Sequence, residues 1–349
     1  MTPDDSSSND ANQSACCIGF IKEFDIIEET ISRYRNGKRQ NIAIIGNPYS
    51  GKSMFLEHIR EVYKKDIYTM EFQSQVKGET AFGDHHFNSP IIQIDGCQRL
   101  FSRRIEGFTL LDDFLMTIAQ HSSLFITTWN LHAWNYLSRV RGIERFFPVI
   151  VTIPTLSVED MRSCILLDYT QEELQFIGQV EIEMPGLISF IRREIQLPLL
   201  KTKTEIPIPR FNVDALTSKN KKKADTLSDE EYVFQRITRL ARGNPGVGKA
   251  IWKSSFEYPI VDLKSYNPIE VPSNLTRDDL FLLGVISMMG QATEDELIES
   301  VDAGYDIQPN LYHLLSCGLL HKTDYGYFIR PEATMQVEDV LLKTRIFWE

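Results

Sequence analysis

Gly46-Asn47-Pro48-Tyr49-Ser50-Gly51-Lys52-Ser53 reads G-x-x-x-x-G-K-[ST], a spacing suited to wrapping a phosphate chain in backbone N–H groups. Glycine at 46 and 51 lets the loop curl so that successive amides point inward. The helix start that follows, through Met54, adds unpaired N–H groups and a positive dipole end. At this spacing Lys52 reaches the outer phosphates, and the Ser53 hydroxyl is a ligand for Mg²⁺. The residues therefore imply binding of a nucleoside triphosphate, ATP, with its magnesium ion.

Further along, Ile91-Ile92-Gln93-Ile94-Asp95 is an apolar run ending in a carboxylate, placed to hold Mg²⁺ as a second metal contact. The next residue is Gly96, where a glutamate that polarises the attacking water is common in additional-strand ATPases, so the residues speak for binding more than for hydrolysis. Ser123–Asn130 ends in polar groups. With its strand between the other two, Thr128 or Asn130 faces the γ-phosphate and orients water. Arg139, Arg141 and Arg145 cluster before the fifth strand, where an arginine can act across a subunit interface on transition-state charge. Each of these also has an ordinary reading, as a turn residue or solvated charge. Arg145, closest to the strand, is the favoured finger.

These groups need a scaffold, and the hydrophobic pattern supplies one. Phe20, Phe24, Ile27 and Ile31 mark an amphipathic helix between Gly19 and Arg35. Strands are predicted at 41–45, 67–72, 90–95, 123–129 and 149–153, with helices after the phosphate loop and over 107–120. Strand and helix alternating in this way predict a parallel α/β sheet. Residues 73–89, which hold His85-His86, read as polar and irregular. Helical pattern returns at 229–256, and a proline-containing connector, 259–275, leads to the last unit.

Composition sets outer limits. The chain has 349 residues, 42% hydrophobic and 24% charged, with a net charge of −11, which argues against a protein that coats nucleic acid. No apolar run approaches the ~20 residues that span a bilayer, and the polar start lacks a signal-peptide pattern, so the cytoplasm is the expected compartment and no membrane is expected as partner. The five cysteines include an adjacent pair, Cys16-Cys17, but none has metal-ligand spacing.

Residues 19–256 resemble the AAA+ and STAND-type P-loop ATPases, in particular the archaeal-type ATPase and origin-recognition-like branch. The resemblance is carried by GNPYSGKS at 46–53, IIQID at 91–95, FITTWN at 125–130, RFFPVIVTIPTLSVEDMRSCIL at 145–166 and the Gly243-Asn244-Pro245 turn. It implies an additional-strand sheet followed by a helical lid, with Pro245 packing near adenine. Arg242 and Lys249 flank that turn, yet neither matches the family's sensor arginine clearly.

The resulting organisation is a disordered tail at 1–15, a nucleotide-binding α/β domain at 16–170, a lid at 171–265 with a loop insertion at 196–227, and a winged-helix-like domain at 276–349. The insertion carries Lys219 and Lys221 to Lys223, either a solvated loop or a basic finger for phosphates. Residues 276–349 hold five basic against thirteen acidic residues, a balance of −8. Phosphate contact supplies most nonspecific DNA affinity, so a protein partner is favoured over DNA for this unit. The function these readings imply is a nucleotide-dependent switch or motor acting on a macromolecule, with ATP-dependent self-assembly through Arg145. The alternative is a DNA-binding origin-recognition or transposition-type loader.

Overall fold

The strands Ile42–Gly46, Ile91–Asp95 and Leu124–Asn130 are buried at nearly every position, the mark of inner strands covered on both faces. A computed structural model describes residues 19–76, 88–104, 106–167, 169, 174–176, 188–196, 203–211, 228–262, 264, 266–301 and 304–347. The expected tail at 1–15, Cys16-Cys17, His85-His86 and the lysines at 219 and 221–223 lie outside the described residues.

Helix α1 (Ile21–Arg35) leads into β1 (Ile42–Gly46), the phosphate loop and α2 (Lys52–Val62). Then come β2 (Ile67–Glu71), β3 (Ile91–Asp95), α3 (Thr109–Gln120), β4 (Leu124–Asn130), α4 (Leu131–Arg141), β5 (Val149–Thr152) and α5 (Val158–Leu166). The five strands form one sheet in the order β2-β3-β4-β1-β5, every pair parallel. One strand, β4, therefore separates the loop-bearing β1 from the Asp95-bearing β3. This is the P-loop fold of additional-strand type, as the sequence predicts.

Alternation along β1 sorts the core. Ala43 and Ile45 join one apolar layer with α3, α4 and Trp129, while Ile42 and Ile44 face the other with Phe55, Leu56 and Ile59 of α2. Gln93 and Asp95 share the parity of Ile91, so they point toward α2.

Beyond the sheet, β6 (Gln175–Phe176) is followed by β7 (Ile188–Gln196) and β8 (Lys203–Phe211), an antiparallel pair. This corrects the reading of 196–227 as loop: residues 203–211 are a strand. Pro207 and Pro209 hide it in the sequence, but they share one parity, so a two-stranded ribbon can turn both donor-less positions to its open edge.

The helical stretch 229–256 is two helices, α6 (Asp229–Ala241) and α7 (Pro245–Ser255). Ser228 and Glu231 form a capping box at the start of α6, which ends at Arg242 and Gly243, both in the left-handed region. Asn244 caps α7, and Pro245 takes its first position, where a missing N–H costs nothing. Strands β9 (Phe256–Glu257) and β10 (Ile260–Val261) then join β6 in a small sheet.

The C-terminal unit comprises α8 (Arg277–Met289), α9 (Glu294–Glu299), α10 (Gln308–Ser316), the hairpin β11 (Leu320–Thr323) and β12 (Gly326–Ile329), and α11 (Thr334–Lys343). Ala292, between the first two helices, bridges antiparallel to Tyr327. Leu282, Leu283 and Ile286 of α8 bury into the same layer as Trp129 and Phe101, so this unit shares its core with the sheet domain. No helix among the described residues is long and apolar enough to cross a membrane.

Candidate functional site

Parallel strands deliver their C-terminal ends to one edge, and Gly46, Asp95 and Asn130 all arrive there. At Gly46 a Cβ would lie 2.4 Å from Ser50 Oγ and 3.3 Å from Lys52 Cγ, so the loop closes only over glycine. Lys52 Nζ donates to the carbonyls of Gly46 at 2.9 Å and Asn47 at 2.7 Å, folded into the loop's own concavity. Burial pushes its pKa from 10.5 down to about 8, and the charge of Asp95 opposes that shift. Asn47 Oδ1 and Ser50 Oγ are buried with no hydrogen-bond partner among the described residues. The orphaned Ser50 hydroxyl beside a desolvated ammonium fits a phosphate chain, which would supply acceptors for both. Met54 stands in the first turn of α2 and is exposed.

Beside the loop, a cleft between α2 and the sheet is lined by Ser53, Glu57, Arg60, Thr69, Glu71 and Asp95 among others. Ser53 and Asp95 thus meet across one opening, a hydroxyl and a carboxylate with the hard oxygen chemistry that Mg²⁺ requires. Thr128 Oγ1 donates to Asp95 Oδ1 and accepts from the Gly96 N–H at 2.9 Å. The intervening strand therefore orients the carboxylate. Asn130 is 2% exposed, and its amide is engaged twice: Oδ1 accepts from His132 N at 2.9 Å, and Nδ2 donates to Ser287 O at 2.7 Å. In this arrangement it caps α4 and holds α8, while Thr128 is the β4 side chain joined to the Asp95 end of the site.

The turn at 243–246 docks directly on the phosphate loop. Asn244 Nδ2 donates to Pro48 O at 2.8 Å, the Gly246 N–H donates to Tyr49 O at 3.0 Å, and Pro245 Cγ lies 4.0 Å from the position of a Cβ on Gly51. Pro245 therefore meets the loop itself. At Gly246 a Cβ would sit 2.6 Å from both Tyr49 O and Tyr49 Cβ, so any side chain separates the two segments. Gly246→Val is expected to lower stability by about 1–3 kcal/mol through this clash and to weaken nucleotide binding with it. Thermal unfolding and titration with a fluorescent ATP analogue check both, and an unchanged midpoint would show that the contact is dispensable.

The C-terminal unit reaches the same edge. Tyr49 Oη donates to Ile329 O at the end of β12. Burial raises the Tyr49 pKa, with Glu332 adding to the shift, which keeps the phenol protonated and able to donate. Arg99, 7% exposed after β3, donates to Gln291 O at 3.2 Å, and its charge is felt by Glu296, Asp95 and Glu71. His132 Nε2 and Glu338 Oε1 are 2.8 Å apart, and Arg242 pairs with Asp339 at 2.6 Å.

Arg145 lies elsewhere. It is exposed over the Phe146 ring just before β5, and Val149 pairs with Ile42, four residues from Gly46, or about 13 Å along the strand. Within one chain this arginine is at the opposite edge from the phosphate loop. Arg141 is engaged with Asp112 at 3.6 Å and stacks over Phe108.

Sequence reasoning did not single out Asn244 and Gly246 as loop contacts, Arg99 as a buried cation, or Glu71. Asn before Pro at a helix start was the available signal for Asn244. Glu71 and Arg99 carry no motif, and only the strand register brings them in. No group of three or more His, Cys, Asp or Glu residues suited to a metal exists among the described residues.

No protein-family model matches the chain, and no curated protein matches it in sequence. Among solved structures it is similar to the RuvB Holliday junction branch migration motor of Thermotoga maritima, at 13% identity over 90% of this chain and 93% of that one, with a TM-score of 0.37. It is similar to the ORC2 protein of Aeropyrum pernix, at 11% identity, 94% and 95% coverage and a TM-score of 0.38. A Walker-type ATPase of Pyrococcus abyssi gives 12% identity, 92% and 96% coverage and a TM-score of 0.40. At these scores the fold assignment rests on strand order and the phosphate loop rather than on the likeness.

Proposed function

We propose that this chain binds Mg-ATP, hydrolyses it slowly, and serves as an AAA+/STAND-type switch acting on a protein partner. One observation carries the reading. The phosphate loop is hydrogen-bonded on one side to the α6–α7 turn and on another to the C-terminal hairpin, so loop occupancy bears on both segments. In this reading Gly46 to Met54 cradle the phosphates, Ser53 and Asp95 hold Mg²⁺, and Pro245 closes the nucleotide side as part of a lid. Magnesium would neutralise charge on the phosphate oxygens. Asn130, through Ser287, would link the sheet edge to a winged-helix-like unit.

The charge and bonding of that unit favour protein over DNA. On α10, Gln308 is bonded to Glu294, while Asn310 and His313 are bonded to the buried Asp279. The polar groups that would read a base edge are thus already engaged within the unit. Binding of this chain to immobilised partner candidates with and without Mg-ATP tests the switch, and a duplex-DNA titration across a salt series tests the alternative. Salt-sensitive DNA binding would favour the loader reading.

The exposed Arg145 fits a role in trans, at the edge that a neighbouring copy's phosphates could meet. Arg145→Ala is expected to lower turnover by roughly 10³-fold in the assembled state without weakening ATP binding, and wild-type specific activity should rise with protein concentration. Sedimentation with a nonhydrolysable ATP analogue reports the assembly. A monomer throughout, with activity independent of concentration, would leave Arg145 as surface charge.

A further inference from the structure

The position after Asp95 cannot carry the missing carboxylate. Gly96 adopts φ +82°, and a Cβ there would lie 2.9 Å from Phe72 O. Its N–H is committed to Thr128 Oγ1. The chain must turn at this point without a side chain, so any group that polarises the attacking water comes from another element.

The register of β2 on β3 supplies one. Glu71 pairs with Asp95, and Thr69 pairs with Gln93, so all four share one face of the sheet. The Phe72 N–H donates to Asp95 O at 3.0 Å, and Thr69 Oγ1 donates to Gln93 Oε1 at 3.2 Å, which fixes the edge strand against β3 up to its last residue. Neighbouring strands lie about 4.8 Å apart, within the reach of a glutamate side chain. Glu71 lines the same cleft as Ser53 and Asp95. Of the other carboxylates in that cleft, Asp95 accepts from Thr128, and Glu57 is paired with Arg60, one helical turn beyond Ser53. Glu71 makes no hydrogen bond to another side chain among the described residues, and the buried Arg99 feels its charge.

We infer that Glu71 is the catalytic base of ATP hydrolysis, acting from the strand next to Asp95. This rests on the ATPase reading above. A water oxygen bonds to the γ-phosphorus while the bond from that phosphorus to the β–γ bridging oxygen breaks. ADP leaves with the bond's electron pair, and the water proton passes to the Glu71 carboxylate before release to solvent. Asp95 would hold the metal, and Glu71, lining the same cleft, would take the proton.

Glu71→Gln removes the base and keeps the shape. The variant is expected to bind a fluorescent ATP analogue within about twofold of wild type, yet to release phosphate at least ~10²-fold more slowly. Nucleotide recovered from the Glu71→Gln protein after incubation should be ATP, whereas the wild type yields ADP. Glu57→Gln should match wild type in both measurements. Wild-type turnover in Glu71→Gln, with binding intact, would overturn the assignment while sparing the ATPase reading, as would loss of turnover in Glu57→Gln alone. A wild-type protein that binds no Mg-ATP would sink both.

Discussion

Lys52→Ala is expected to abolish the stabilisation that Mg-ATP confers. At about 100 times its dissociation constant, a ligand stabilises the wild type by about 2.7 kcal/mol, and the variant should show no shift. The reason is geometric. The Lys52 ammonium is folded between the Gly46 and Asn47 carbonyls inside the loop and is absent from the apolar core. The fold of the variant should therefore persist, which a far-ultraviolet spectrum verifies. Its pH dependence adds a second test. A lysine whose folded pKa falls from 10.5 to about 8 carries its full burial penalty below pH 8. Between those values the unfolded chain binds the extra proton, so stability rises with pH. Without nucleotide, wild type should gain stability relative to Lys52→Ala as pH climbs from about 8 toward 10.5. A variant that still shifts with Mg-ATP like wild type would refute the phosphate-loop assignment.

Asp95→Ala should remove turnover, with phosphate release falling by about 10²-fold or more, the scale on which one preorganised electrostatic group counts. The carboxylate stands between Thr128, which orients it, and the Ser53 side of the cleft. Its loss would take away the carboxylate proposed to hold magnesium, and it removes the charge that supports the Lys52 ammonium, so magnesium dependence should weaken along with rate. Asp95→Asn separates the two effects, because the amide keeps an oxygen for Thr128 and loses the charge. Hydrolysis that proceeds unchanged in Asp95→Ala would contradict the mechanism, whatever the outcome for binding.

Much of this was legible in the residues. The phosphate loop announces itself because its chemistry tolerates few alternatives at Gly46, Gly51, Lys52 and Ser53, and the mainly apolar runs at 42–45, 91–94 and 124–126 mark strands buried on both faces. The place of the 123–129 strand between the other two was a premise of that reading, and the pairing of β4 with both β1 and β3 supplies it. What stayed hidden depends on long-range register. Glu71 gains meaning only from pairing with Asp95, and Gly246 only from its approach to Tyr49. The β7–β8 ribbon escaped because Pro207 and Pro209 read as loop residues until one edge is known to be open. Asn130 illustrates the opposite difficulty, since a strand-end asparagine suits both water orientation and a helix cap, and only Ser287 and His132 show how its amide is engaged here.

The bond from the Tyr49 hydroxyl to the Ile329 carbonyl carries a thermodynamic obligation. Coupling between two binding events is reciprocal: if ATP changes a partner's affinity for the C-terminal unit by some factor, that partner changes the affinity for ATP by the same factor. A macromolecule that draws the hairpin off the loop would then be a nucleotide-exchange factor or a nucleotide trap, according only to which state of the loop holds Ile329 more tightly. Tyr49→Phe, which deletes the oxygen and keeps the ring, would shrink both factors together.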